Sequence, residues 1–109
     1  MREFEPDYIV NLAAVSSVGL SWRSPALTMR VNVEGALNVM EAARSQETMP
    51  RVLLVGSSEE YAAKVGALNE SDTTLSNNPY GISKVTQEHF ATLYTKRYGL
   101  HVCLTRSFN

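Results

Sequence analysis

The chain has 109 residues, 44% apolar and 19% charged, with ten Lys and Arg against eleven Asp and Glu and a formal net charge of −1. That balance excludes a disordered or collagen-like chain and a basic nucleic-acid-binding module, and no apolar run reaches the roughly 20 residues that a bilayer span needs. The opening Met1-Arg2-Glu3-Phe4-Glu5-Pro6 is too polar for a secretory signal, and the single Cys103 cannot close an internal disulfide, so one small domain in a reducing, cytoplasmic setting is expected.

Residues 7–14 (Asp-Tyr-Ile-Val-Asn-Leu-Ala-Ala) are a short apolar run, which predicts a strand covered on both faces. Residues 15–22 read as a Ser-rich loop containing Gly19. Ser24-Pro25 then opens a helix, with Ser as N-cap and Pro in the first turn. Met29, Val33, Ala36, Leu37, Met40 and Ala43 recur at helical spacing down to about Arg44. Gly35 costs that helix about 1 kcal/mol relative to Ala, which predicts close packing at this point. Residues 51–55 (Arg-Val-Leu-Leu-Val) are the clearest strand, ended by Gly56-Ser57-Ser58. A polar loop over 62–78 leads to Asn78-Pro79, a second helix start. Ile82, Val85, His89, Leu93 and Arg97 mark one side of that helix, Tyr98-Gly99 closes it, and 101–105 is a third strand.

Strand, helix, strand, helix, strand predicts an α/β fold, part of a doubly wound parallel sheet of the Rossmann type with right-handed crossovers. Three strands leave an edge unpaired, a first sign of a truncated chain.

In such sheets ligands sit beyond the carboxyl ends of the strands. Three polar clusters fall there, at 13–17, 56–60 and 107–109, and Tyr80 and Lys84 stand at the head of the second helix. Four residues apart, the two side chains share one helix face. A Lys ammonium beside a phenol favours the phenolate, which suits Tyr80 to donate or accept a proton near neutral pH. Ser57 at a strand end is placed to hold a substrate oxygen against that phenol. By spacing alone Tyr80 also reads as an ordinary helix-start residue and Lys84 as a solvated charge. Cys103 reads as a small core residue in an apolar strand. His89 and His101 lack the neighbours of a metal site, and no metal is expected. Trp22 suits either a cover over a ligand cleft or packing against the next helix, and Glu41, Arg44 and Glu47 read as a solvated helix end.

Asn11-Leu12-Ala13-Ala14, Asn32-Val33-Glu34-Gly35, Gly56-Ser57-Ser58-Glu59-Glu60-Tyr61, Pro79-Tyr80-Gly81-Ile82-Ser83-Lys84 and Arg106-Ser107-Phe108-Asn109 follow one another in this order. Together they resemble the extended short-chain dehydrogenase/reductase family of nucleotide-sugar epimerases, dehydratases and reductases. Within it, Ser16-Ser17-Val18-Gly19-Leu20-Ser21-Trp22 and the Gly56–Tyr61 segment look most like GDP-4-dehydro-6-deoxy-mannose reductases, with GDP-mannose 4,6-dehydratases next.

The resemblance implies an NAD- or NADP-dependent oxidoreductase that moves hydride to or from C4 of a hexose bound as its nucleoside diphosphate. It makes Tyr80 the acid/base, Lys84 the residue that tunes Tyr80 and contacts the nicotinamide ribose, and Ser57 the hydrogen-bond partner of the sugar oxygen. Leu12, Ala13, Ala14, Ser16, Asn32, Tyr80, Lys84 and Phe108 line the dinucleotide, and Ser57, Ser58 and Asn109 touch the sugar nucleotide. Glu59 reads either as a surface residue or as a base beside the sugar, its role in dehydratases. The implied partners are the sugar-nucleotide substrate and, in a full-length form, a second copy in a homodimer, with neither nucleic acid nor membrane.

Ala62 and Ser107 replace the family's usual Gly and Pro. No G-x-G-x-x-G turn occurs among the six Gly residues. Residues 1–109 therefore read as the central part of an NAD(P)-binding domain without its Gly-rich strand–turn–helix or the substrate domain, inactive alone. The other class of reading is a truncated non-catalytic protein that binds a partner through its open sheet edge.

Overall fold

The structure is a computed structural model and describes residues 4–62, 66 and 68–108. Strands β1 (Tyr8–Asn11), β2 (Arg51–Ser57) and β3 (Val102–Ser107) form a parallel sheet in that spatial order. The register pairs Ile9 with Val52 and Leu54 with Leu104. β3 runs two residues beyond the predicted strand. Strands laid down in sequence with right-handed crossovers send every crossover over the same face. The core follows from that: Val52, Leu54 and Leu100 bury against Ala36, Met40, Ala43 and Ala91, with Ile9, Val102, Leu104 and Phe90 packed around them.

Side chains alternate across a strand, so the neighbouring positions face the other way. There Tyr8 is 73% and Val10 56% exposed, and Cys103 is exposed too. Among the described residues no helix covers that face. This corrects the expectation of a strand covered on both faces and of Cys103 as a core residue. Apolar composition marks a residue for burial, but it cannot supply the layer that buries it.

The segment read as a loop contains helix α1 (Val18–Arg23), whose N-cap Ser17 accepts from the Leu20 N–H at 3.1 Å. Six residues with Gly19 inside carry too little periodicity to announce a helix. Trp22 stands 62% exposed, so it does not pack into the next helix. The helix predicted over 24–44 is present as α2 (Pro25–Met29), a π-helical stretch (Arg30–Glu34) and α3 (Gly35–Arg44). Ser24 occupies the N-cap without a side-chain bond, its carbonyl instead accepting from Thr28 N–H and Oγ1. Gly35 makes no close approach. Its N–H closes the π-turn onto Arg30 O, and the nearest heavy atom that an added Cβ would meet, that same oxygen, is 4.0 Å away.

Helix α4 (Pro79–Tyr98) has the predicted ends, with Asn78 Oδ1 accepting from Gly81 N–H at 2.8 Å and Gly99 left-handed at φ 72°. Its packed face is not the side marked by Ile82 and Leu93, which are exposed. The buried residues are Tyr80, Gly81, Ser83, Lys84, Gln87 and Ala91. A polar helix face goes inward because Ser83, Lys84 and Gln87 find main-chain carbonyl partners there.

Candidate active site

β2 ends at Ser57, which caps the short 3₁₀ turn Ser58–Glu60. Ser57 Oγ accepts from the Glu59 N–H at 3.1 Å, and the Ser57 N–H donates to Glu60 Oε2 at 2.9 Å. The next segment of the site is the head of α4, and the two are locked together. Asn78 Nδ2 donates to Glu59 Oε2 at 2.9 Å. A Cβ at Gly81 would collide with the Glu59 carbonyl and with Ser76 Oγ, so this crossing of backbones requires glycine. Ser57 and Tyr80, both buried, therefore ride on segments in direct contact. No hydrogen bond joins their side chains.

One turn on, Lys84 Nζ donates to the Val55 carbonyl at 3.0 Å and lies 5.8 Å from the centroid of the Tyr80 ring. The predicted sharing of one face by Tyr80 and Lys84 is present. Burial holds the Lys84 ammonium below the usual lysine range, opposed by the charge of Glu60. An ammonium has three donors, and Val55 O is one acceptor.

A third segment comes from the end of β1. Asn32, fully buried in the π-turn, accepts from Val15 N–H at 2.7 Å and donates to Val15 O at 3.0 Å and to Ser83 Oγ at 2.9 Å. Gln87 Nε2 donates to the Asn32 carbonyl at 2.6 Å. Asn32 thus ties the loop holding Ala13, Ala14 and Ser16 to the helix holding Tyr80 and Lys84. Its amide is spent on protein partners, so it shapes that loop rather than offering a donor outward. Leu12 and Phe108 stand exposed beyond the ends of β1 and β3, and Ser58 is half-buried beside Ser57. Small and apolar groups around a loop fixed by Asn32, next to a lysine with donors to spare, fit a ribose and a flat ring at this edge. Asn109 lies outside the described residues.

Sequence reasoning missed the supporting polar groups Ser83, Gln87, Arg106 and Glu60, and read Asn78 only as a helix start. Glu60 was signalled by the Ser-x-x-Glu spacing of a capping box from Ser57, which the structure forms. Arg106 donates from Nε and Nη2 to both oxygens of Glu88, each at 2.8 Å. A cleft of about 360 Å³ lined by Tyr61, Asn69, Glu88, Arg106 and Phe108 lies beside β3 and does not include Tyr80 or Lys84.

Parallel strands with helical crossovers and a polar carboxyl edge define a Rossmann-type sheet. The sequence model of the family GDP-mannose 4,6 dehydratase matches residues 1–109, and the chain belongs to that family. A dTDP-glucose 4,6-dehydratase of Xanthomonas campestris pv. campestris is 31% identical over 119 residues, which take in 100% of this chain and 34% of that protein. The GDP-6-deoxy-D-mannose reductase of Pseudomonas aeruginosa is 28% identical over 107 residues, 95% of this chain and 35% of that protein. The solved UDP-glucose 4-epimerase of Brucella ovis, in complex with NAD, superposes with a TM-score of 0.92 at 30% identity, covering 100% of this chain and 34% of its own. The chain thus spans about a third of the length of the curated relatives it matches. The resemblance read in the sequence and the parallel Rossmann-type sheet are both borne out.

Proposed function

We propose that this chain supplies the acid–base part of an NAD- or NADP-dependent enzyme that reduces C4 of a nucleotide-activated 4-keto-6-deoxy hexose. The observation that carries the reading is the lock between the Ser57 turn and the Tyr80–Lys84 helix head through Asn78, Glu59 and Gly81. It sets a hydroxyl, a phenol and an ammonium at one strand end, the chemistry that protonation of a carbonyl oxygen requires.

The bound nicotinamide supplies the hydride. Leu12, Ala13, Ala14, Ser16 and Phe108 line the dinucleotide in this reading, with Asn32 fixing the loop. Ser57 Oγ already accepts from Glu59 N–H, so its own hydrogen is left to donate to the substrate oxygen at C4. Tyr80 gives that oxygen its proton, and the Lys84 ammonium, 5.8 Å from the Tyr80 ring centroid, offsets the charge left on the phenol oxygen. Ser58 and Asn109 contact the sugar nucleotide.

A second reading, 4,6-dehydration, is favoured by the description of the matching family. It needs a base at C5 besides Tyr80, and Glu59 is the carboxylate available. In the structure Glu59 is engaged with Asn78, the N-cap of α4, which supports a structural part for it and hence the reductase.

Glu59→Gln in the full-length enzyme separates the two. The reductase reading expects turnover of a 4-keto substrate to stay within about tenfold, a barrier change of ~1.4 kcal/mol. Formation of a 4-keto-6-deoxy product from a GDP-hexose, abolished by Glu59→Gln, would replace the reductase with the dehydratase.

A further inference from the structure

Glu60 has no part in the chemistry above, yet it is a fully buried carboxyl at the meeting point of three elements. Its Oε2 accepts from the Ser57 N–H at 2.9 Å. Its Oε1 is the one buried side-chain nitrogen or oxygen among the described residues that lacks a hydrogen-bond partner. From β3 the group facing it is Arg106, with Nε at 3.8 Å. From α4 it faces Lys84 and Glu88. From β2 it faces Gly56, where a Cβ would run into the Glu60 carboxyl and the Thr105 carbonyl. Within its own segment Glu59 is engaged with Asn78, and Tyr61 offers its ring to Arg106 at 4.9 Å.

Arg106 is already gripped by both oxygens of Glu88. A second ionised carboxyl, fully buried at Glu60, would face like charge with no donor for Oε1, an arrangement that burial penalises heavily. One proton on Oε1 removes both difficulties. It cancels the excess charge and turns the orphaned oxygen into a donor towards Glu88. Resting on the reading of Ser57 as a catalytic residue, we propose that Glu60 is a positioning residue for Ser57, held by one proton that it shares with Glu88 under the clamp of Arg106.

The electrostatics agree with the geometry. Burial, then the hydrogen bond with Glu88, pushes the Glu60 carboxyl up to about 8, and the Glu88 charge adds to this against the pull of Ser57 N–H and Arg106. Glu88 is itself pushed up by burial but ends below the usual range, because Arg106 and Glu60 donate to it. With a folded value above the unfolded one near 4.5, the tie through Glu60 is complete below about pH 4.5 and is lost as pH rises through about 8. Between those limits folding takes up one proton. The folding constant therefore falls about tenfold per pH unit relative to a variant that lacks the titration.

Glu60→Gln and Glu60→Leu in the full-length enzyme test this. Infrared difference spectra of the wild type at pH 7 should show the carbonyl stretch of a protonated carboxylic acid that Glu60→Gln removes. The kcat of the wild type should fall as pH rises through about 8. Glu60→Gln, which keeps an acceptor for Ser57 N–H and cannot ionise, should lose the step near 8 and keep only the fall set by loss of the Tyr80 proton, and Glu60→Leu should lower kcat at every pH with KM for the dinucleotide unmoved. No protonated-carboxyl band in the wild type, or the same step near 8 in Glu60→Gln, overturns the proposal. Should Glu60→Leu fail to fold, the band and the Glu60→Gln profile decide. Should the enzyme turn over no sugar nucleotide, the reading of Ser57 fails, while the band and the pH slope of folding still decide whether the proton is shared.

Discussion

Asn32 carries more of the site's geometry than any residue that faces the substrate. Its amide holds both main-chain groups of Val15 and reaches Ser83, while its carbonyl takes the Gln87 amide. Asn32→Ala would strand the Val15 N–H and the Val15 carbonyl in a part-buried place, while the Ser83 hydroxyl keeps its bond to the Tyr80 carbonyl, and each unsatisfied group costs about 1–3 kcal/mol. The expected outcome is a lower melting temperature together with a raised KM for the dinucleotide and a smaller change in kcat. Thermal unfolding and steady-state kinetics on the full-length enzyme check it, and an unchanged KM would assign Asn32 to stability alone. Ser57, Tyr80 and Lys84 stood out in the sequence as candidates because their types and spacing suit proton transfer whatever lies around them. Gln87 did not, because an amide looks like surface until the carbonyl that satisfies it is brought up from a distant segment, and Glu60 was signalled only by its capping-box spacing from Ser57.

Among the elements, α4 shows where sequence patterning succeeds and where it stops. Asn78-Pro79 and Gly99 mark its ends through local hydrogen bonding and a left-handed turn, so both were readable. Its apolar spacing pointed to Ile82 and Leu93, whereas the buried face is Tyr80, Ser83, Lys84 and Gln87. Pairing with the Tyr80, Val55 and Asn32 carbonyls satisfies Ser83, Lys84 and Gln87 on that inward face. α1 was missed for want of length, and the π-turn because five residues at altered pitch leave no trace in the hydrophobic repeat. The strands were legible from their apolar runs, but not which of their faces is covered. Tyr8 and Val10 stand open, and β1 and β3 each present an unpaired edge among the described residues. A polypeptide of these 109 residues alone should therefore melt broadly or aggregate, since open apolar faces and strand edges invite association. Calorimetry with sedimentation measures this. A sharp, reversible two-state transition of a monomer would show that the half-covered sheet is self-sufficient.

At the scale of the molecule, one layer of helices packs on one face of a three-stranded parallel sheet, and every candidate catalytic group gathers at the carboxyl edge. Two contacts hold that edge in register: Asn32 between the β1 loop and α4, and Gly81 with Asn78 between the β2 turn and α4. No G-x-G-x-x-G spacing occurs among these 109 residues, and the proposed reading gives them the nicotinamide and sugar ends of the reaction. In the proposed reaction Tyr80 gives the proton while C4 of the sugar receives the hydride. The most direct measurement is single-turnover transfer of deuterium from a deuterated nicotinamide cofactor to a 4-keto-6-deoxy sugar nucleotide by the full-length enzyme, with Tyr80 and with Tyr80→Phe. The account predicts deuterium at C4 and a rate lower by about 10²–10⁴ in Tyr80→Phe, the usual cost of losing a general acid. Deuterium absent from C4, or a Tyr80→Phe rate within about tenfold of the parent, would contradict it.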